Sequence, residues 1–592
     1  MATSTMGTAA AKGQSASPSA VSRPPPPSMS VLRLLWLAVT ATPGFWSMPY
    51  LVLTVAAIAA GGDGDAFTLT FCRRRLATFL VSGRAVAAAS ALPVADLTNG
   101  PTLRAAWRVF EPLPREVTAA AAAAADAAAA AGRPPPPPPP PFEAAVMRAV
   151  GPRVTAVVSA GWATAAPVVT ARMDAAIDAR LDAAVAAAGS RGGSSGDSVD
   201  CAVVDLFDTL SCAIAAAAVV VVAGPAYGAA HGDATIEGVM DWPPIAWGVP
   251  ALWFPSVTRT VRRRAAAAFD GAMRSLVAAA SKALDPAAPA LPEPETYLAV
   301  LADALRAERG GVAAGVTPTQ VAVHLYGALV GAHINTAATA GWAAAHVAAA
   351  GAVTRAAVTA EVDAVLAGRP PPVAANVAGG AAAVACVTGL PTLESAWAEA
   401  RRFYFAIPAV RFAREPFRVP PPPSTTQATP TAGGGGSDES SGGDNGSGWT
   451  VPGDGGAVLL SVLDASRGSD YYTDGDTFNV RRFLPVAAGG GGVSATAAAA
   501  AGRLYGLGWG PDAAASTAES QLLLSRLWRR LYSRFDVTLV DGPGGGAGGD
   551  AGSVPLPSAD QLRAVATAQP KRRVWVRLTR RGKGGARGGE RL

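Results

Sequence analysis

Charge, cysteine and histidine are all scarce in this chain. Only 16% of its 592 residues are charged, and the formal net charge is +6. Lys and Arg are dispersed except in the tail from Lys571 to Arg591, so the basic footprint of a nucleic-acid-binding protein is missing and no nucleic-acid partner is expected. Four cysteines, Cys72, Cys201, Cys212 and Cys386, stand far apart without a Cys-x-x-Cys pair, and there are only four histidines. This argues against zinc fingers, iron–sulfur clusters and a disulfide scaffold, and it suits a reducing compartment. No Gly-x-Ser-x-Gly elbow places a nucleophile. Glycine runs such as Gly433 to Gly436 and Gly544 to Gly549 lack the strand, Lys and Ser/Thr context of a phosphate loop. No solenoid-length repeat is present either.

What is abundant is apolar and small. Half of the residues are hydrophobic, enough to bury a large core, while 65 Gly and 49 Pro dilute that core with low-complexity sequence. Residues 1–62 carry no Asp or Glu, three basic residues (Lys12, Arg23, Arg33) and much Ser, Thr and Ala, as in an organelle transit peptide, of the plastid type for example. Within them, Leu34 to Ala60 is nearly uncharged and exceeds the ~20 residues that span a bilayer, although Pro43 and Pro49 interrupt it. Residues 1–62 are therefore read as a targeting or membrane-anchor segment; the alternative is that only Leu34 to Ala41 anchors and the rest packs as a first core helix. A membrane-associated location, at the endoplasmic reticulum or an organelle, is expected. One domain then covers 63–578, with low-complexity inserts at 119–141, 190–198, 420–448 and 487–501 that read as surface loops or linkers. Residues 579–592 form a basic tail, either solvated or in weak contact with an anionic membrane.

Outside the inserts the pattern is helical. Val203 to Val222, Arg262 to Ala283, Tyr297 to Arg309, Pro318 to Ala350, Thr354 to Leu366 and Leu393 to Phe405 carry Ala- and Leu-rich sequence at helical period. Strand-like runs sit towards the two ends: Ala66 to Phe71, Leu76 to Val81, Ala457 to Leu463 and Val574 to Leu578. The expected fold class is mainly α with a small β-sheet domain that joins the N- and C-terminal segments.

Two helical positions three apart, Glu399 and Arg402, share one face and can pair. The segment Asp476 to Leu484, DTFNVRRFL, offers Arg482 as a second guanidinium for the same carboxylate. This set resembles the cytochrome P-450 haem monooxygenases, whose K helix carries Glu-x-x-Arg and whose meander carries an aromatic-x-Pro-Glu-Arg-Phe element. The resemblance makes Glu399, Arg402 and Arg482 the structural triad, with Val480 at the Pro place and Arg481 at the Glu place. Gly64 to Gly83 is similar to the family's first β-hairpin, and Ala568 to Leu578 to its last. Met240 to Arg264 and Val109 to Pro114 resemble regions of the sterol 14-alpha-demethylases, with Glu116 where that group has a substrate-facing Tyr. The same group reads Gly-x-His-Thr at the oxygen-binding kink of its I helix. Gly331 and His333 match, Ile334 stands at the Thr place, and Thr336 is the nearby hydroxyl. The structural alternative for His333 is a packed or solvated side chain.

The family's haem loop reads aromatic-Gly-x-Gly-x-basic-x-Cys-x-Gly. Tyr505, Gly506 and Gly508 match its opening, and Ala518 matches the Ala on the helix that follows. An ungapped alignment puts Gly510 on the basic residue, Ala514 on the second Gly and Asp512 on the axial Cys. No Cys follows Cys386. Asp512 is then either an iron ligand or the N-cap of a helix starting near Ala513. The resemblance implies a cytochrome P-450-like fold interrupted by low-complexity loops, haem b as cofactor, and a hydrophobic substrate such as a sterol. It also implies a reductase as redox partner if the protein is active, and a membrane surface. The implied activity is haem-dependent oxidation of a sterol or other lipid, impaired because a carboxylate is a poorer donor than thiolate for O–O cleavage. The alternatives are a non-catalytic lipid- or haem-binding pseudoenzyme and a peroxide-rearranging haem protein.

Overall fold

The structure is a computed structural model and describes residues 28–30, 66–71, 74–80, 83–90, 97–98, 126, 130–132, 146, 149–154, 156–157, 167–191, 201–240, 271–285, 287, 296–308, 315–369, 389–405, 409–419, 449–453, 457–467, 472, 474–484, 513–542, 554–564 and 567–582. In chain order the elements are β1 (Ser28–Ser30), β2 (Ala66–Phe71), β3 (Arg74–Leu80), α1 (Gly83–Ser90), β4 (Leu97–Thr98), α2 (Pro167–Arg191), β5 (Cys201–Asp205), α3 (Leu206–Ala223) and α4 (Pro225–Met240). A helix over 271–284 follows. Then come α5 (Tyr297–Ala307), α6 (Pro318–Ala349), α7 (Ala352–Leu366), α8 (Pro391–Tyr404), β6 (Ala409–Ala413), β7 (Phe417–Val419), β8 (Trp449–Val451) and β9 (Ala457–Leu460). The chain continues with α9 (Val462–Arg467), α10 (Ala513–Arg534), β10 (Phe535–Val540), β11 (Ala559–Ala564), β12 (Ala568–Pro570) and β13 (Trp575–Arg580).

The expected class holds: the described chain is mainly helical with small sheets. Helices α2, α3, α6 and α10 pack against one another around the main core. Almost every residue of α3 is buried, so the helix is apolar on all sides, as a core helix must be. It is long and apolar enough to cross a bilayer, yet 83% of its most apolar window is buried inside the protein. Asp205 caps it, accepting from the backbone N–H of Phe207 at 3.1 Å and of Asp208 at 3.4 Å. Helix α6 starts with a capping box: Thr317 N–H donates to Gln320 Oε1 at 2.9 Å, and Gln320 N–H to Thr317 Oγ1 at 3.2 Å. Pro318 takes the first helical position. Gly341 lets α6 sit against α3, because a Cβ there would lie 2.6 Å from the Phe207 ring.

Helices α2 and α10 meet along a charge ladder. Asp174 faces Arg526, Asp178 faces Arg530 and Arg534, and Asp182 faces Arg534 and Arg580. The offset is 352 residues in Asp174–Arg526, Asp178–Arg530 and Asp182–Arg534, so the two helices run parallel, and each contributes residues four apart, one face of a helix; Arg580 joins from β13. Arg526 Nε lies 2.8 Å from Asp174 Oδ1, and Arg530 Nε lies 2.9 Å from Asp178 Oδ1.

Six strands form a mixed sheet in the order β1-β2-β3-β9-β6-β4. It does join distant parts of the chain, since β3 pairs in parallel with β9. A second, smaller core including Leu80, Val86, Val458, Leu460 and Val462 lies on it. Strand β1, inside the segment read as targeting sequence, pairs in parallel with β2. A three-stranded sheet, β10-β13-β5, abuts the bundle.

Three local expectations need correction. The helix read from Val203 to Val222 begins at Leu206, because 201–205 is held extended as β5 on β13. The strand read from Ala457 to Leu463 ends at Leu460, and Val462–Arg467 turns into α9. The segment Ala568 to Leu578 is not one hairpin, since β12 closes on β11 while β13 sits between β10 and β5. The hairpin expected between Gly64 and Gly83 is present as antiparallel β2 and β3. Residues 31–65, the regions of Val109 to Glu116 and Asp241 to Arg264, and the inserts at 420–448 and 487–501 lie outside the described residues.

Candidate functional site

Helix α8 presents Glu399 and Arg402 one turn apart, and both are fully buried. Arg402 Nε and Nη2 donate to Glu399 Oε2 and Oε1 at 2.7 and 2.8 Å. Arg482 Nε donates to Glu399 Oε1 at 2.9 Å, and so does the Asn479 backbone N–H. The remaining Arg402 donors reach the carbonyls of Ser466 at 2.8 Å, Gly475 at 2.7 Å and Thr477 at 3.3 Å. The carboxylate is held from α8 and from the 474–484 turn, and the guanidinium stitches that turn to the end of α9. A buried ion set survives when its charges and donors are answered in this way.

The turn itself depends on backbone freedom at two places. Asp474 adopts φ 55°, a left-handed conformation that a short polar side chain tolerates. Gly475 follows, and a Cβ there would fall 2.0 Å from the Arg467 carbonyl oxygen. The Arg402 guanidinium also lies over the Tyr472 ring, 5.0 Å from its centroid.

An aromatic layer that the sequence reading missed adjoins this network. Tyr404 Oη and His346 Nε2 are 2.7 Å apart. Tyr404 stacks on Trp342 with centroids 3.8 Å apart, and His346 stacks on Phe478 of the turn. Burial pushes His346 down to about 3, so it is neutral. The signal available in the sequence was Trp342 and His346 four apart on one helix, with no hint of their partner.

The three residues read on α6 diverge. Gly331 is exposed, and an added Cβ would meet nothing within 4 Å. The helix passes through it as one continuous α-helix. His333 is buried against α3, its Nε2 2.7 Å from Ser211 Oγ. Burial pulls it down to about 4. Thr336 turns to α10, where its Oγ1 lies 3.0 Å from Ser520 Oγ. Ile334 and Asn335 stay half-buried beside Gly331.

Tyr505, Gly506, Gly508 and Asp512 lie outside the described residues, as does Gly510. Helix α10 is described from Ala513. Further along, burial pushes the Glu519 carboxyl up to about 8, and its Oε1 is buried with no hydrogen-bond partner among the described residues. Near the start of α5, Tyr297 Oη meets His324 Nε2 of α6 at 2.8 Å. Among the described residues no group of three or more His, Cys, Asp or Glu could hold a metal ion.

One more buried acid bears on α8. Glu361 of α7 accepts from the Thr392 hydroxyl at 2.6 Å and from the Thr392 N–H at 3.1 Å. It caps α8 from a distance, because the N-cap position, Leu390, has no side-chain acceptor. Burial pushes Glu361 up to about 7. No protein-family model matches the chain, and no curated protein sequence matches it.

Proposed function

We propose that the chain is a cytochrome P-450-like protein, similar to the sterol 14-alpha-demethylases. On this reading it binds a sterol or another hydrophobic small molecule, and its haem-dependent oxidation is impaired because Asp512 occupies the axial Cys place. The observation that carries the reading is the buried Glu399–Arg402–Arg482 network, which joins the helix and the turn that the resemblance pairs. The long α6 running through the bundle beside α10, and the sheet tying β2 and β3 to β9, support it further.

The chain's donor set does not fit a thiolate-ligated haem. No Cys follows Cys386, the axial place holds a carboxylate, and Gly510 replaces the basic residue that would pair with a propionate. A carboxylate lacks the electron push that favours O–O cleavage. That same substitution favours a second reading, a non-catalytic lipid- or haem-binding protein. A reductase is a partner of the active reading only, while a membrane surface belongs to either reading.

The test is the visible spectrum of the full chain expressed with haem precursor, oxidised and then reduced under carbon monoxide. A Soret band without the thiolate-type shift is the expected result. Folded protein with no Soret band would end the haem reading and leave lipid binding alone.

A further inference from the structure

Among the described tyrosines, Tyr404 and Tyr297 have a histidine nitrogen as hydroxyl partner, His346 Nε2 at 2.7 Å and His324 Nε2 at 2.8 Å. Tyr326 and Tyr227 meet weaker bases, the Gly238 carbonyl and the Thr235 hydroxyl. Tyr404 differs from Tyr297 in having a tryptophan against it: Trp342 stacks on its ring with centroids 3.8 Å apart and planes within 7°. Tyr404 therefore has both a route for an electron and a base for a proton.

The two rings of the stack are not equivalent. Trp342 is fully buried, and its Nε1–H donates to the Ala568 carbonyl at 2.7 Å. A carbonyl accepts that bond but is too weak a base to take the proton, so Trp342 stripped of an electron stays a buried cation, at high cost. The Tyr404 hydroxyl has no second partner among the described residues, so it donates to His346 Nε2 and the proton of the neutral imidazole sits on Nδ1. The two atoms are within proton-transfer reach. His346 is half-buried, nearer to water than Trp342 is, and an imidazole can hold the transferred proton. Phe478 lies flat on His346 at 3.5 Å, and Phe403 stands edge-on to Tyr404 at 5.1 Å. These rings carry no O–H or S–H that a radical could strip.

We propose that Tyr404 is a redox-active tyrosine, with Trp342 as its electron relay and His346 as its proton acceptor. An outer-sphere one-electron acceptor removes one electron from the stacked pair. The Tyr404 O–H bond breaks, an N–H bond forms at His346 Nε2, and a neutral tyrosyl radical and an imidazolium remain. A reductant of the ascorbate class returns the electron, and the proton goes back to the phenolate oxygen. The proposal is independent of the haem and lipid readings.

The test uses the full chain with photogenerated ruthenium(III) tris(bipyridine) as the acceptor, and reads the radical by electron paramagnetic resonance after freeze-trapping. Wild type should give a lasting neutral tyrosyl signal. Tyr404→Phe should lose most of it, and Tyr297→Phe should keep it. His346→Gln, which leaves an acceptor that is not a base, should lower the tyrosyl yield several-fold and leave a tryptophan cation signal in its place. A wild type without a lasting tyrosyl signal, a Tyr404→Phe variant that keeps it, or a His346→Gln variant with the wild-type yield would each overturn the proposal and reduce the stack to packing. Thermal melts check that the variants fold. Wild type alone supplies a second measurement: in D2O the phenoxyl oxygen should show an exchangeable deuteron coupling from the imidazolium, and its absence would overturn the assignment as well.

Discussion

At the scale of single residues, the protein relies on a few buried ionisable groups whose answers are complete. Arg402 is the clearest, because all its donors are used inside the protein. Arg402→Ala leaves buried Glu399 with Arg482 and the Asn479 N–H only, and frees the carbonyls of Ser466 and Gly475. It should cost about 3 to 5 kcal/mol. Arg482 is partly exposed, its side chain at 14%, so water can replace some of what Arg482→Ala removes, and about 1 to 2 kcal/mol is expected. Urea unfolding of both variants checks the order; equal losses would mean that the turn is not held through Arg402. Glu361 gives a pH dependence. Its folded value, about 7, lies above the ordinary 4.5, so the folded state binds the proton more tightly than the unfolded chain. The stability this contributes is present below pH 4.5 and is lost as pH rises through 7. Wild type should therefore lose about 2 kcal/mol from this group between pH 5 and 8, and Glu361→Gln should flatten that slope. Glu519 titrates in the same direction, so the difference between the two proteins is the quantity to measure. Parallel slopes would mean that Glu361 is not the group responsible.

At the scale of elements, what was legible in the sequence was local. Glu399 and Arg402 are one turn apart, and their pairing follows from helical geometry alone. Arg482 was found because its surroundings resemble a known turn. The α2 to α10 ladder was not read, although Asp174, Asp178 and Asp182 share the spacing of Arg526, Arg530 and Arg534. Spacing says which face is charged and leaves open which helix it meets. Strand β5 was hidden for a similar reason: Val203 and Val204 continue an apolar helical run, and only pairing with β13 makes them extended. The ladder is half-exposed, and single exposed pairs contribute little, so Asp178→Ala should cost about 1 kcal/mol in low salt and less in molar salt. Asp178 serves both Arg530 and Arg534. A cycle with Arg530→Ala should therefore show coupling of about 0.5 kcal/mol or more. Additive losses would reduce the ladder to independent surface charges.

At the scale of the molecule, the proposed P-450-like reading divides the chain into parts that would hold such a fold together, the bundle and its mixed sheet, and parts that would do its chemistry. The Glu399 network is buried and fully hydrogen-bonded, while on that reading Ile334 stands at the Thr place and Asp512 at the axial place. His333 and Thr336 are each tied to a neighbouring helix, through Ser211 and Ser520. The reading of the 505–512 loop rests on the ungapped match through Tyr505, Gly506 and Gly508, and one substitution tests it directly. Asp512→Cys in the full chain restores the only side chain able to give a thiolate there, because no other Cys follows Cys386. If the pocket still takes haem, the reduced, carbon-monoxide-bound variant should show the red-shifted Soret band of a thiolate haem, and wild type should not. A folded, haem-loaded variant without that shift would mean that residue 512 does not face the iron. The family alignment of this loop would then have to be abandoned even though the Glu399 network remained.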